Sequence, residues 1–389
     1  MEQSPVIYLD YNATAPTRPE ALAAVVDAMH YVGNASSIHL PGQSAAQRVD
    51  SARRQVAELL NCSPGEIIFT SGATEANNLA LRAAHSSGRR LVTSNVEHPA
   101  VLETARDLTA DQPGSLILLE VDADGLVDLA ALENALGHGD IGLVSLMAAN
   151  NETGVLTDLA PVVTAAHAVG ALVHTDATQM VGRLPIDLAD LDVDLLSLSA
   201  HKFGGPQGIG ALFVRRTASI PFRPQVTGGG QERGWRAGTL NVPGIAGVGA
   251  AAAAVHRSLA EETARIGRLR DLLEHAVSAS IDGYRVNGHR VARLPGVSSI
   301  TFPGAPADAV MAAMPHVAVS DGSACASGAP SPSHVLLAMG INRHDADCTL
   351  RFSLGYATTE DHIMQAADAT AHAVKLVRAS MDACTPIPG

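Results

Sequence analysis

Lysine is almost missing from this chain. All but two of its 26 basic residues are arginine, the exceptions being Lys202 and Lys375. Any chemistry that needs a side-chain primary amine therefore has two candidates. Positive charge is short overall: 26 Lys and Arg against 39 Asp and Glu leave a formal net charge of −13. That balance disfavours nucleic acid or an anionic membrane as a direct partner. Four cysteines, at 62, 325, 348 and 384, form no C-x-x-C pair and are too few for a disulfide framework. The longest apolar run, residues 243–255, is too short to cross a bilayer. The opening residues, MEQSPVIYLD, show neither a basic start nor an apolar stretch, so no secretory signal is expected. The expectation is a cytoplasmic globular protein, and 389 residues suffice for two domains.

What is present is a regular alternation. Apolar runs at 66–70, 90–95, 115–121, 142–148, 171–177, 194–200 and 210–216 read as strands. Ala-rich stretches at 73–85, 127–138 and 160–170 read as the helices between them. Strands of this kind, apolar on both faces, imply an α/β fold with a mainly parallel sheet covered by helices. Ligands then gather beyond the carboxyl ends of the strands. A long helix over 243–279 leads into a second lobe, with strands at 284–288, 297–302 and 349–355 and a helix over 359–381.

Polar residues stand just past several strands. Lys202 follows the run DLLSLSA and is bracketed by His201 and the pair Gly204-Gly205, which lets backbone pass close to a ligand. Lys375 lies on the amphipathic C-terminal helix and reads as a surface charge. One βα unit before Lys202, HTDATQ brings Asp176 and Gln179 to the same edge. A carboxylate there suits a protonated ring nitrogen, although a plain helix cap explains Asp176 about as well. SGATEANN is a strand, a glycine turn and a helix start, so the amides of Ala73 and Thr74 suit a phosphate. Taken alone, Thr74 and Asn77 also have the spacing of a capping box. His98 and Asn151 follow two further strands. Cys325 sits in GSACASG among small residues, as in an accessible loop, whereas Cys62 and Cys348 read as packing residues. Arg351 in RFSLG has the fork to clamp a carboxylate. Two other patterns are set aside. DADGLVD lacks the later ligands of a calcium loop, and the glycines of GIAGVGAA follow no strand, which favours helix packing.

Together these segments resemble the cysteine desulfurases of the NifS/IscS type, fold-type I enzymes of the class V aminotransferase family that use pyridoxal 5′-phosphate. The likeness runs from LDYNATAPT (9–17) and GNASSIH (33–39) through SGATEANN, HTDATQ, SLSAHKFGGPQG, GGGQERGWRAGT and GSACASG to PSHVLLAMG (332–340) and RFSLG. The resemblance implies a large cofactor domain over 15–260 with a mainly parallel seven-stranded sheet. It implies a smaller α+β domain formed by 1–14 and 261–389. Lys202 then holds the cofactor covalently, Asp176 pairs with the pyridine nitrogen, and Gln179 bonds the ring hydroxyl. His98 stacks on the ring and aids proton transfer, with Asn151 nearby. Ala73, Thr74, Ser199 and His201 hold the phosphate, with Thr239 supplied by the partner subunit of a homodimer. Arg351, helped by Asn12 and Asn34, grips the substrate carboxylate, and Cys325 is the nucleophile.

The activity so implied removes sulfur from L-cysteine. It yields L-alanine and a persulfide on Cys325 that passes to an acceptor protein. The acceptor route is iron–sulfur cluster assembly, tRNA thiolation or DNA phosphorothioation, and in the last case the acidic chain leaves the DNA to its acceptor. The alternatives are another class V lyase or aminotransferase, such as a selenocysteine lyase, and a non-catalytic scaffold for a sulfur acceptor. Thr227, Gln207 and Gly204 depart from the family pattern without touching the core roles.

Overall fold

The computed structural model describes residues 6–85, 89–220, 224–322 and 332–384. In chain order the strands are β1 (Ile7–Tyr8), β2 (Ile67–Thr70), β3 (Arg90–Ser94), β4 (Leu116–Leu119), β5 (Ile141–Ser145), β6 (Leu172–Asp176), β7 (Leu195–Ser199), β8 (Gly210–Val214), β9 (Arg285–Val286), β10 (Val297–Thr301), β11 (Val317–Ala318) and β12 (Thr349–Ser353). The helices are α1 (Pro19–Met29), α2 (Leu40–Leu60), α3 (Ala73–Ala84), α4 (Pro99–Thr109), α5 (Leu129–Leu136), α6 (Leu159–Ala168), α7 (Val242–Ser280), α8 (Ala307–Ala313), α9 (His334–Ala338), α10 (Arg343–Asp347) and α11 (Glu360–Cys384).

The main sheet has seven strands in the order β2-β8-β7-β6-β5-β3-β4. All its pairings are parallel except those of β8, which runs against β2 and β7. Because β8 reverses between them, β2 and β7 still present their carboxyl ends at the same edge. Successive side chains alternate between the faces, and each face packs its own helices. Phe69, Val92, Val144, Leu196 and Phe213 join the cluster that includes α2, α6 and α7. Ile68, Leu91, Leu143, Leu195 and Leu212 join the one built from α3 and α4. A separate core gathers Ile7 and Leu9 with Leu269–Val377 around β10, β12 and α11. Helix α7 serves both: Val248 and Val255 lie in the first core, Leu269 and Leu273 in the other.

The glycines of α7 allow neighbouring helices to approach closely, as the sequence suggests. A Cβ at Gly249 would lie 2.5 Å from Ala52 Cα in α2, and one at Gly247 would lie 2.7 Å from Val25 in α1. In DADGLVD, Asp122 Oδ1 accepts from the amides of Asp124 and Leu126, and Asp128 caps α5. Those carboxylates serve a turn and a helix end. Gly204 has φ +91°, and a Cβ there would strike the Arg18 side chain at 2.6 Å. The bulkier residue of the family pattern is thus excluded here by Arg18, which Glu262 holds at 2.6 Å. No helix among the described residues is long and apolar enough to cross a membrane.

Candidate active site

A cavity of about 390 Å³ opens at the carboxyl edge of the main sheet. Nine of the residues expected at the site line it: Ala73, Thr74, His98, Asn151, Asp176, Gln179, Ser199, His201 and Lys202. They come from segments far apart in sequence, brought together by the strand order.

At one end, α3 begins at Ala73 behind Gly72, and no side chain caps it. The capping box expected from Thr74 and Asn77 does not form. Asn77 lies one turn in and donates instead to Asp176 Oδ2 at 2.6 Å. The first-turn amides of α3 are left facing the cavity with the positive end of the helix dipole, which suits an anion. Close approach shapes this corner: a Cβ on Gly210 would lie 2.6 Å from Leu198 O and 2.7 Å from Gly72 Cα. Ser199 and His201 adjoin it. His201 Nδ1 pairs with Thr14 Oγ1 at 3.1 Å. Burial, with Lys202 and Arg183 nearby, brings His201 down to about 4 and so keeps it neutral.

In the middle, Asp176 closes β6. Its Oδ1 accepts from the Thr178 amide at 2.9 Å within a turn; no helix follows β6, so the expected helix cap does not form. Gln179 donates to Asn12 O at 3.1 Å while its Oε1, buried, has no partner. Thr178 Oγ1 and Asn77 Oδ1 are also buried without partners. Unpaired buried polar atoms are costly, and three of them beside one cavity mark a place built for a polar ligand. Lys202 Nζ reaches the same cavity and donates to the backbone carbonyls of Asn12 and Ala13.

Above lies His98. Its Nδ1 accepts from the Ala100 amide at 3.1 Å as the cap of α4, so a neutral ring carries its proton on Nε2. Burial lowers its pKa, opposed by Asp176. The preceding Glu97 is wholly buried, and burial, with Asp176 nearby, pushes it up to about 8. Glu97 Oε1 accepts from the Met147 amide at 2.7 Å, and Oε2 has no partner.

Other expected residues lie elsewhere. Asn12 is buried beneath the cavity, where its amide donates to Asn151 O at 2.8 Å and Arg183 donates to its Oδ1. Arg351 is 2% exposed and does not line the cavity. Its Nη2 pairs with Asp10 Oδ1 at 2.7 Å and its Nη1 donates to Asn151 O at 3.0 Å, leaving a buried Nε without a partner. Asp10 thus balances its charge. Asn34 is exposed and does not line the cavity of its own chain, its Oδ1 accepting from the Ser36 amide. Thr239 is likewise exposed and does not line the cavity of its own chain. Cys325 lies outside the described residues. Cys62 and Cys348 behave as packing residues, burial pushing the Cys62 thiol up to about 12. Lys375 is exposed on α11.

The sequence reading missed four residues: Asn77 as the support of Asp176, the buried carboxyls of Glu97 and Glu152, and Arg183. The only signal for Glu97 was its place beside His98. Arg183 lies four residues after Gln179 and sits half-buried below the site, its pKa brought down to about 9 by burial and by Arg351.

The sequence matches the family model for class-V aminotransferases over residues 7–365. A cysteine desulfurase of Frankia sp. is 45% identical, with 98% of this chain and 94% of the relative covered. The chain belongs to the class V aminotransferase family, among its cysteine desulfurases. A solved NifS-like protein from Rickettsia africae superposes with a TM-score of 0.85 at 32% identity, covering 96% of this chain and 99% of the other. The structure of SspA in complex with cysteine gives 0.79 at 32% identity, over 90% and 98%. Enzymes of this family depend on pyridoxal phosphate, and the residues present fit that group. The cavity offers an uncapped helix start for a phosphate, an amine at Lys202, a supported carboxylate at Asp176 and an orphaned acceptor at Gln179 Oε1.

Proposed function

We propose that this chain desulfurates L-cysteine through Cys325 and hands the sulfur to an acceptor protein. Its family supports the reaction. What carries the reading is the cavity, which sets the Lys202 amine and the doubly supported Asp176 carboxylate around three orphaned polar atoms. Bound pyridoxal phosphate supplies an electron sink for the carbon that carries the substrate amino group. Lys202 tethers the group, and the uncapped α3 start with Ser199 and neutral His201 binds its phosphate. Asp176 keeps a proton on the ring nitrogen, because Asn77 and the Thr178 amide hold it as an acceptor. His98, neutral with its proton on Nε2, can hold or move a proton above the cavity. The Cys325 thiolate takes the sulfur: the substrate carbon–sulfur bond breaks, a sulfur–sulfur bond forms, and the carbon takes a proton to leave as alanine.

The enzyme acts as a homodimer in this account. Met29, Val32, Ile38 and Leu40 are 71%, 85%, 92% and 79% exposed, a density of bare apolar side chains unusual for a free surface. They adjoin a hollow lined by Val32, Gly33 and Leu240, next in sequence to Asn34 and Thr239. A second copy covering this face would carry Thr239 toward the other cavity. A reducing compartment such as the cytoplasm suits a persulfide carrier. The acidic charge leaves any nucleic acid to the acceptor, whether the sulfur serves cluster assembly, tRNA thiolation or DNA phosphorothioation.

The test is alanine release from L-cysteine by the holoenzyme with a thiol reductant, comparing wild type with Cys325→Ser. Alanine from the wild type alone is expected. Equal alanine from both would favour a lyase, and none from either would overturn the reading.

A further inference from the structure

The turn that follows β5, residues 150–154, faces two ways. Asn150 organises it, its Oδ1 accepting from the amides of Glu152 and Thr153 at 2.9 and 3.0 Å. Asn151 lines the cavity, and Arg351 and Asn12 donate to its carbonyl. The next residue, Glu152, is 5% exposed and turned to another task. Its Oε2 accepts the hydroxyl of Ser333, and a Cβ on Gly322 would lie only 2.9 Å from the same oxygen. Gly322 has φ +85°, so both its backbone and the carboxyl's approach call for glycine there. Ser333 and Gly322 are the residues that flank segment 323–332, and that segment contains Cys325 in its sequence.

Each flank is tied further into the fold. The Gly322 amide donates to Ser320 Oγ at 3.1 Å, and the Ser320 amide and carbonyl pair with Arg351 of β12. Ser333 Oγ also accepts from the Leu336 amide at 3.1 Å as the cap of α9, and His334 Nε2 donates to Glu97 O at 3.0 Å. One carboxyl therefore meets both flanks, and its own backbone belongs to the turn that shapes the cavity.

We propose that Glu152 is a positioning residue for sulfur transfer: its carboxyl fixes the residues on either side of the Cys325 segment to the turn that lines the cofactor cavity. This rests on the desulfurase reading. An apolar side chain would pack the same space without a buried ionisable group. Only an acceptor can hold the Ser333 hydroxyl. Burial, with Asp321 opposing and Arg351 favouring the charge, pushes Glu152 up to about 7.

The experiment uses the holoenzyme and the variants Glu152→Ala, Glu152→Gln, Ser333→Ala and the double alanine variant. Misplacing a nucleophile by about 1 Å can cost on the order of 100-fold. Glu152→Ala is therefore expected to lower kcat for alanine by about 10- to 100-fold while KM and the cofactor absorbance stay near wild type. Glu152→Gln keeps an acceptor for Ser333 and is expected to recover about a third or more of the rate. If the two act as one unit, adding Ser333→Ala to Glu152→Ala costs nothing further. A second readout avoids turnover: in a Cys325→Ser background, Glu152→Ala should leave the spectral titration with L-cysteine unchanged.

A kcat for Glu152→Ala close to wild type, multiplicative effects of the two alanine variants, or equal loss of cofactor binding would overturn the proposal. Should Glu152→Ala fail to fold, Ser333→Ala decides, and an unchanged kcat for it overturns the proposal too. An inactive wild type would sink the desulfurase reading, and the proposal with it.

Discussion

Glu97 offers a quantitative test of how the site is built. Its carboxyl is wholly buried beside His98 and is pushed up to about 8 from an ordinary 4.5, chiefly by burial and then by Asp176. A raised carboxyl pKa means that the folded state holds the proton more tightly than the unfolded one. Between about pH 4.5 and 8 the folded state thus carries more protons, and this residue makes stability fall as pH rises. At about 1.4 kcal/mol per pH unit, the contribution lost across that window is on the order of 4–5 kcal/mol. Glu97→Gln has no proton to lose. Its amide keeps an oxygen for the Met147 amide and Ser94 hydroxyl, which both meet Oε1, but it places N–H groups where Oε2 has no partner. An unsatisfied buried donor costs about 1–3 kcal/mol. The variant is therefore the less stable protein near pH 5 and the more stable one near pH 9, with the two curves crossing between. Urea unfolding of both proteins at five pH values reads the difference directly. Parallel curves from about pH 5 to 9 would refute the reasoning.

Further outcomes follow from other parts of the structure. Gly210→Ala drives a methyl against Leu198 O and Gly72 Cα. With overpacking at about 1–3 kcal/mol, pyridoxal phosphate titration should show affinity weakened by roughly 5- to 150-fold, and unchanged affinity would count against the phosphate assignment. Glu232 has a side chain 1% exposed, held by Arg53 at 2.6 Å and by the Phe69 amide at 2.8 Å. Glu232→Ala leaves the mostly buried Arg53 guanidinium without its carboxylate, though still bonded to Ile67 O, and should cost about 2–4 kcal/mol in urea unfolding, with Glu232→Gln costing less because an acceptor for Phe69 remains. Val32→Glu combined with Ile38→Glu should give a monomer in sedimentation velocity and weaken cofactor retention, and an unchanged dimer would place the interface elsewhere.

The main sheet was legible because its strands are short apolar runs bounded by turns, and every one of those seven runs became a strand. The carboxyl-edge rule then located eight of the nine cavity residues without a distance in hand, and Ser199 came from the family resemblance alone. Strands β1 and β11, two residues each, pair among the described residues only with one another and leave no local pattern to read. Helices α1 and α2 were passed over in favour of the motifs around them. Asn77 was misread because its spacing from Thr74 imitates a cap, while the helix actually starts behind Gly72. Arg351 illustrates a deeper limit. Its sequence neighbours suggest a carboxylate clamp, but its counter-ion Asp10 is far away in the chain and meets it only through the pairing of residues 9–12 with β12. Glu152 was invisible for the same reason, since Ser333 and Gly322 become its neighbours only in the folded chain.

The central claim is that Cys325 takes sulfur from L-cysteine. Its most direct test is mass spectrometry of the holoenzyme after brief exposure to L-cysteine without reductant, followed by alkylation and digestion. The account predicts a Cys325 peptide heavier by one sulfur atom, in step with alanine released and reversed by dithiothreitol. Alanine formed with the Cys325 peptide unmodified, or an added sulfur found instead on Cys62, Cys348 or Cys384, would contradict it.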